Sequence, residues 1–398
     1  MTSRSVDLLI VGAGISGLGM ARMAKRQGLS PLVFEASSHI GGAIHTHHFD
    51  TPDGPFWAEL GGHTCYNSYG NLLELLEETG QLNTLQAKEK LRYKIQIGDQ
   101  LESIPSQLNF LELLGVLPRL WMSQKAGRSV RDYYGRIIGR RNYAKVLGPA
   151  LDAVVCQPAS DFPADALFRK KPRRKEVLRS YTGPMGLQSF VAGIAADLEI
   201  RTQTPVKTIE KGDVGYRVSL QDGSQIEAAR VALAVAPDVA ADLVRDLMPS
   251  IASRLDEIEM AEIESHAVLV RAGDTHLPEV AGIIGHEDDF FSVVSRDLVS
   301  HPGYRAFTFH FRPGRLSEEA RLTRICEVLG VDYSAIISSV SLNNRLPALR
   351  LGHAERIAWV DRQLQDLPLG LTGNWFQGVS IEDSLVRTSE EFNRLMGQ

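Results

Sequence analysis

Val6-Asp7-Leu8-Leu9-Ile10-Val11-Gly12-Ala13-Gly14-Ile15-Ser16-Gly17 is the stretch that decides the fold. An apolar run of strand length meets three glycines spaced GxGxxG, and Ser16 to Gln27 continues as a helix with small residues on one side. The first glycine permits a tight turn, the second lets backbone approach a pyrophosphate, and the third lets helix and strand pack closely. The helix N-terminus then faces the phosphates. Leu32 to Glu35 reads as a second strand, giving a parallel strand-helix-strand unit. Glu35 lies 18 residues after Gly17, where a carboxylate accepts hydrogen bonds from both ribose hydroxyls of an adenosine and repels a 2′-phosphate. The spacing therefore predicts a dinucleotide site that disfavours NADP.

Outward from that unit, two further glycine blocks separate FAD from NAD. Gly41-Gly42 follows Glu35, and Glu59-Leu60-Gly61-Gly62-His63 supplies another close-approach backbone. Leu371 to Asp383 repeats strand, glycine loop and helix start. An NAD site needs none of these, whereas a longer ligand with a ring system near a second helix end uses them. Tyr69 to Thr79 reads as a helix, followed by a mostly helical region to about Arg179 that contains Leu108 to Met122 and Val130 to Leu151. A helix (Leu187 to Leu198), a strand pair (Val206 to Glu210, Tyr216 to Leu220) and Val231 to Val235 return to the first domain. His266 to Arg271, Gly282 to Ile284, Phe291 to Ser295 and Arg305 to Phe311 read as a separate antiparallel sheet. Leu369 to Thr372 and a helix from Ile381 to Met396 complete the chain. The expected fold class is α/β, with a discontinuous Rossmann-type domain (1–85, 183–246, 351–398). Its insertions are a helical segment (86–182) and an α+β substrate domain with the antiparallel sheet (247–350).

Composition excludes several functions. Over 398 residues, 43 Lys+Arg against 48 Asp+Glu leave a net charge of -5, so no nucleic-acid partner is expected. The one basic run, Arg169 to Lys175, reads as a solvated loop or helix end, with phospholipid or acidic-substrate contact as the alternative. Cys65, Cys156 and Cys326 form no CxxC pairing, which argues against disulfides and zinc and fits a reducing cytosol. Met1 to Ser5 leads straight into the first strand, so no secretion signal is expected. Leu108 to Met122 is the nearest approach to a membrane span, but Asn109, Glu112, Pro118 and Arg119 break it. The expectation is a cytoplasmic protein with peripheral membrane contact at most. Leu108, Leu111, Leu114, Leu117 and Trp121 recur at near-helical spacing, either as a pocket entrance or membrane face, or as the insertion's own core. His45, His47 and His48 lack a carboxylate or cysteine to complete a ligand set, so no metal is expected. His63 reads as a structural histidine or a contact to ligand, and Trp375 and Phe376 as pocket lining or core. No nucleophile elbow is present, so acyl chemistry is unsupported.

Taken in order, the N-terminal motif, the paired glycines with Thr46, the Glu-Leu-Gly-Gly block, Gly183-Pro184-Met185-Gly186-Leu187, Val206 and Gly373 to Asp383 resemble the flavin amine oxidase superfamily over nearly the whole chain. Gly352-His353 and the block Thr372 to Asp383 resemble its protoporphyrinogen oxidase-like branch. The resemblance implies that Gly12, Ala13, Gly14, Ile15, Ser16 and Gly17 hold the pyrophosphate of FAD, Glu35 with Ala36 the adenosine ribose, and Val206 the adenine. It implies that Gly41, Gly42, Ala43, Gly61, Gly62, His63 and Thr64 line the ribityl chain and isoalloxazine. Gly373, Asn374, Val379, Ser380 and Ile381 are then expected at a helix start near the pyrimidine ring, favouring the negative charge of reduced flavin. Ala43 stands where many members carry Arg, so one cofactor contact is missing or supplied elsewhere. Cys326 is the last cysteine, which implies non-covalent FAD. The function implied is an FAD-dependent oxidase or dehydrogenase taking hydride from a bulky, mostly apolar small molecule and re-oxidised by O2 or another acceptor. His63, Trp375 and Phe376 are its candidate catalytic-site residues. Alternatives are a carotenoid- or squalene-type desaturase, or a non-catalytic flavoprotein binding module. Substrate identity and oligomeric state are left open.

Overall fold

A computed structural model describes residues 5–397. Leu8–Val11 is buried at every position and lies at the centre of a five-stranded parallel sheet. Its order is Glu199–Arg201, Pro31–Phe34, Leu8–Val11, Val231–Leu233, Leu369–Leu371, so three distant segments build one sheet. Period-two alternation divides the central strand between two cores. Leu8 and Ile10 join the helices Ile15–Arg26 and Ile381–Met396 on one face. Leu9 and Val11 join Val218, Val244 and Val360 on the other. Parallel strands covered on both faces must read as continuous apolar runs, which is why this sheet was visible in the sequence.

Val6 to Val11 is not one strand. Ser5–Val6 pairs with Gln225–Ala228 in a four-stranded sheet, and the chain changes sheets at exposed Asp7, whose carboxylate accepts from the Ser30 amide at 3.2 Å.

The second large sheet has seven strands in the order Ile336–Ala348, Glu259–Arg271, Tyr304–Phe311, Phe290–Ser295, Gly282–His286, Tyr93–Ile97, Gln100–Ser103. Two features differ from the sequence reading. The last two strands come from the stretch expected to be mostly helical, as a hairpin turning at Gly98 (φ 56°). Tyr93–Ile97 also runs parallel to Gly282–His286, so the sheet is mixed rather than antiparallel. One face, with Val268, Val270, Phe307, Phe309 and Phe311, packs with Ile325 and Leu329 of the helix Glu318–Leu329. The other brings Ala267, Leu269 and Ala306 against Phe49 and Phe56 of the hairpin Thr46–Thr51/Gly54–Glu59 and Leu60 directly after it. That second contact positions the site.

The stretch Val130 to Leu151, expected as one helix, is broken at Gly139 (φ 92°). A Cβ there would fall 2.2 Å from the Glu112 carboxyl carbon. Glu112 fills this space because its oxygens accept from the amides of Arg141 (3.1 Å) and Asn142 (2.9 Å), where the helix restarts.

Candidate functional site

The glycines meet in one side-chain-free surface. A Cβ on Gly12 would lie 2.5 Å from the Ala234 carbonyl oxygen, and one on Gly17 would lie 1.9 Å from that of Gly12. The Gly41 amide donates to the Ala13 carbonyl at 2.8 Å, while a Cβ on Gly42 would sit 3.1 Å from the Gly14 Cα. Ala43 then accepts from the Gly62 amide at 3.0 Å, and a Cβ on Gly61 would clash with the same carbonyl at 2.1 Å. Gly12–Gly17, Gly41–Ala43 and Gly61–Gly62 are thus stitched edge to edge. The helix Ile15–Arg26 starts at Gly14 with no side-chain cap, leaving its first amides for an anion. Glu35 accepts from the Ala13 amide (2.8 Å) and the Ser37 amide (2.9 Å), one bond per oxygen, and each oxygen keeps a lone pair for a ribose hydroxyl. The Glu35 carbonyl accepts from the Thr204 amide at 2.8 Å, which draws Val206 alongside, and Ala36 is exposed beside them. Backbone cradle, free helix start and half-buried carboxylate fit a dinucleotide.

At the far end, Ser380 caps the helix Ile381–Met396 by accepting from the Asp383 amide at 3.1 Å. Ile381 reaches to 3.9 Å of the Cβ position of Gly62, joining this helix start to the glycine surface. Val379 packs instead against the helical insertion. The basic run is only partly solvated. Lys171 pairs with Asp383 at 2.7 Å and reaches Ser380 at 3.3 Å. Arg169 reaches Gln377 at 3.3 Å, and Arg174 pairs with Glu77. Gly373 takes φ 152°, Asn374 follows it half-buried, and the chain then turns Trp375 and Phe376 into the core. Their rings stack at 3.8 Å, the Trp375 indole donates to the Val235 carbonyl at 3.0 Å, and His353 Nε2 donates to the Trp375 carbonyl at 2.6 Å. Packing accounts for both rings. His45 and His47 lie against His39 and Phe49, respectively.

The wall beside Gly61-Gly62 adds to His63 and Thr64 residues that the sequence reading did not single out. Asn344 donates through Nδ2 to the Leu60 carbonyl (2.8 Å) and to Ser265 Oγ (2.9 Å). Ser265 Oγ also lies 3.0 Å from His310 Nδ1, and with the Ser265 hydroxyl donating there the ring carries its proton on Nε2. Burial pushes His310 down to about 4, so the ring is neutral near pH 7. His63 repeats the pattern. Lys88 donates to the His63 carbonyl (2.7 Å) and to Thr64 Oγ1 (2.8 Å), and Thr64 Oγ1 lies 3.0 Å from His63 Nδ1. Burial, aided by the Lys88 charge, lowers His63 to about 3. Burial also lowers Lys88 to about 8 and raises Glu59 to about 7, although Glu59 accepts from Thr46 Oγ1 and the Leu187 amide at 2.7 Å each.

Arg296 lies over the Trp57 ring at 4.2 Å, and its buried Nε and Nη1 have no partner among the described residues. With His63, Lys88, Ser295 and Thr308 it lines a cavity of about 10 Å³, room for one water. The signal for this wall was present in part. Thr308 and His310 alternate with Phe307, Phe309 and Phe311 on a strand buried throughout, so they must face something polar. Nothing in the sequence marks Lys88 or Arg296.

Residues 15–264 match the model of a protein family described as flavin containing amine oxidoreductase. A flavin-containing amine oxidase of Danio rerio is 33% identical over 81 residues, 20% of this chain and 15% of that protein. Polyamine oxidase 2 of Arabidopsis thaliana is 25% identical over 255 residues, 59% of this chain and 52% of that protein. A 15-cis-phytoene desaturase of Capsicum annuum is 32% identical over 87 residues, 22% of this chain and 14% of that protein. The matched stretch therefore spans at most about half the length of these relatives. Among solved structures, a candidate protoporphyrinogen oxidase from Exiguobacterium sp. 255-15 superposes with a TM-score of 0.76 at 20% identity, covering 100% of both chains. A putrescine oxidase solved with putrescine superposes with 0.70 at 16% identity, covering 99% of this chain and 100% of that one. Both share the fold.

Proposed function

Because this chain belongs to the flavin-containing amine oxidoreductase family, we propose that it is an FAD-dependent oxidoreductase that removes hydride from a bulky, mostly apolar small molecule. Amine oxidation and C–C or C–N oxidation of the protoporphyrinogen oxidase kind are the leading classes, with O2 or another acceptor taking the electrons. Residues 1–85, 183–246 and 351–398 form its FAD-binding domain. The inserted segments 86–182 and 247–350 form the substrate side, with the hairpin 93–103 counted among the latter. Bound FAD supplies the hydride acceptor. FAD is held non-covalently, since Cys65 is buried and Cys156 and Cys326 lie outside the glycine surface.

The observation that carries this reading is the hydrogen-bonded wall Asn344–Ser265–His310, fixed to the Leu60 carbonyl directly before Gly61-Gly62. Gly12–Gly17 and Glu35 bind and orient the dinucleotide end. The apolar contact of Phe49, Phe56 and Leu60 with Ala267, Leu269 and Ala306 keeps water from the seam behind the wall. His310 and His63, both neutral near pH 7, act as fixed hydrogen-bonding groups, donors at Nε2 where the neighbouring hydroxyl donates to Nδ1, rather than as bases. Glu59, raised to about 7, and Lys88, lowered to about 8, are the groups whose protons are most easily moved near neutral pH.

The purified protein should be yellow and release FAD on denaturation. Anaerobic mixing with candidate amines or hydrogenated apolar substrates should bleach the flavin on the timescale of turnover. Protein without flavin after reconstitution overturns the reading. Flavin that no such substrate bleaches leaves the binding module as the better account.

A further inference from the structure

The helix Phe110–Val116 and the turn Leu117–Leu120 wear their apolar side outward. Leu111 is 82% exposed, Leu114 63%, Trp121 86% and Met122 74%, and within the helix only Val116 is buried. The segment is nevertheless firmly built. Asn109 caps it by accepting from the Glu112 amide at 3.0 Å, and buried Asn142 holds the Asn109 amide (2.7 Å) and carbonyl (3.0 Å). A contiguous apolar surface on a rigid element marks a binding face.

The surroundings say what covers it. Glu112, Val116 and Arg119 line a cleft of about 1430 Å³, together with Arg128, Arg131, Arg136, Arg140 and Arg312. The guanidinium groups of Arg119, Arg128, Arg131, Arg136 and Arg140 have no ion pair among the described residues. Four acids share the cleft; Glu112 accepts from the amides of Arg141 and Asn142, and Asp152 from the Ala159 amide at 2.7 Å. Six arginines against four carboxylates leave the cleft net positive. A two-fold dimer through this face would set the arginine rim against its own copy. A bilayer with anionic headgroups accepts both parts at once, with apolar side chains at the acyl boundary and guanidiniums among the phosphates.

We propose that residues 110–122 form a docking face for an anionic lipid bilayer, with Leu111, Leu114, Trp121 and Met122 entering the interface and Arg119, Arg136 and Arg140 engaging headgroups. The docking does not depend on the flavin reading. If the substrate is apolar, as proposed above, it reaches the protein from the bilayer.

The purified full chain should co-sediment with vesicles of phosphatidylcholine containing phosphatidylglycerol, and much less with phosphatidylcholine alone or at high salt. Trp57 and Trp375 are buried and Trp359 partly so, which makes Trp121 the reporter. Its emission should shift to the blue with anionic vesicles, a readout that needs no variant. The triple substitution Leu111→Ser, Leu114→Ser and Trp121→Ser should keep the melting temperature and bound flavin while losing vesicle binding. Arg119→Gln, Arg136→Gln and Arg140→Gln should each weaken binding to the anionic vesicles roughly fivefold. Absence of binding and of the emission shift overturns the proposal. So does vesicle binding that the triple variant retains, or a dimer in light scattering that the triple variant dissolves.

Discussion

His310 and His63 reach the same state by different routes. One is held by Ser265 under Asn344, the other by Thr64 under Lys88, in each case through a hydroxyl 3.0 Å from Nδ1. With that hydroxyl donating to Nδ1, each ring presents Nε2–H. If His310 serves as that donor, His310→Gln, which can still donate, should keep most of the turnover, while His310→Ala should cost about 10- to 100-fold, the worth of one buried hydrogen bond. Ser265→Ala should fall between them, because it frees the tautomer without removing the ring. Equal losses in Gln and Ala variants, with unchanged flavin spectra, would reduce His310 to packing. Glu35 permits a separate test of the cofactor. Glu35→Ala should raise the FAD dissociation constant about 10- to 150-fold, from roughly 1.5–3 kcal/mol for bonds to a charged group. Glu35 also holds the Ala13 amide, so Glu35→Gln, which keeps one acceptor, should lose less. Unchanged affinity in fluorescence titration would show that neither oxygen meets the ribose.

Among the elements, those that must be apolar throughout were the ones to announce themselves. Leu8–Val11 and Val231–Leu233 are buried strands with no polar position, and the glycine motif between strand and helix fixed both topology and cofactor class. The hairpin Tyr93–Ile97/Gln100–Ser103 does alternate, Tyr93, Ile95 and Ile97 with Lys94 and Gln96, but its strands are short and lie at a sheet edge inside a stretch rich in helical spacing. The break at Gly139 was equally hidden, since it is caused by Glu112, distant in sequence and legible only in three dimensions. For the same reason the glycine cradle was readable and the wall of Ser265, His310 and Asn344 was not. A cradle is written in consecutive residues, whereas the wall is written across three strands. The Asn142 network gives an element-scale prediction. Asn142→Ala removes two donors and an acceptor from Asn109 and Ile138 at a buried position. It should lower stability by about 1–3 kcal/mol, read as a lower denaturant midpoint with unchanged m. A midpoint within error of the parent would mean that water replaces the side chain and that the exposed helix is held from elsewhere.

For the molecule as a whole, buried titratable groups set the dependence of stability on pH. His63, His266 and His310 are lowered by burial to about 3, 4 and 4, against 6.5 when free. As pH falls below 6.5 the unfolded chain takes up three protons that the fold refuses, so these groups withdraw stability on the acid side. Glu59 acts in the opposite sense. Burial raises it to about 7 from 4.5, so between those values the fold binds a proton that the unfolded chain does not, and lowering the pH adds stability. His45, His47 and His353 are lowered by burial in the same sense, against Glu59, Glu382 and Asp152, which burial raises, so the histidines leave a net loss as pH drops from 6.5 to about 4.5. On the alkaline side Lys88, lowered by burial to about 8 from 10.5, makes stability rise between those values, because only the unfolded chain stays protonated there. The melting temperature should therefore fall steeply from pH 6.5 to 4.5, while titration of Lys88 causes no loss above pH 8. His310→Gln should make the acid limb shallower by removing one of the refused protons. Glu59→Gln should make it steeper by removing an opposing group. A flat melting temperature across that window, or a shallower acid limb in Glu59→Gln, would show that these side chains are not buried as described.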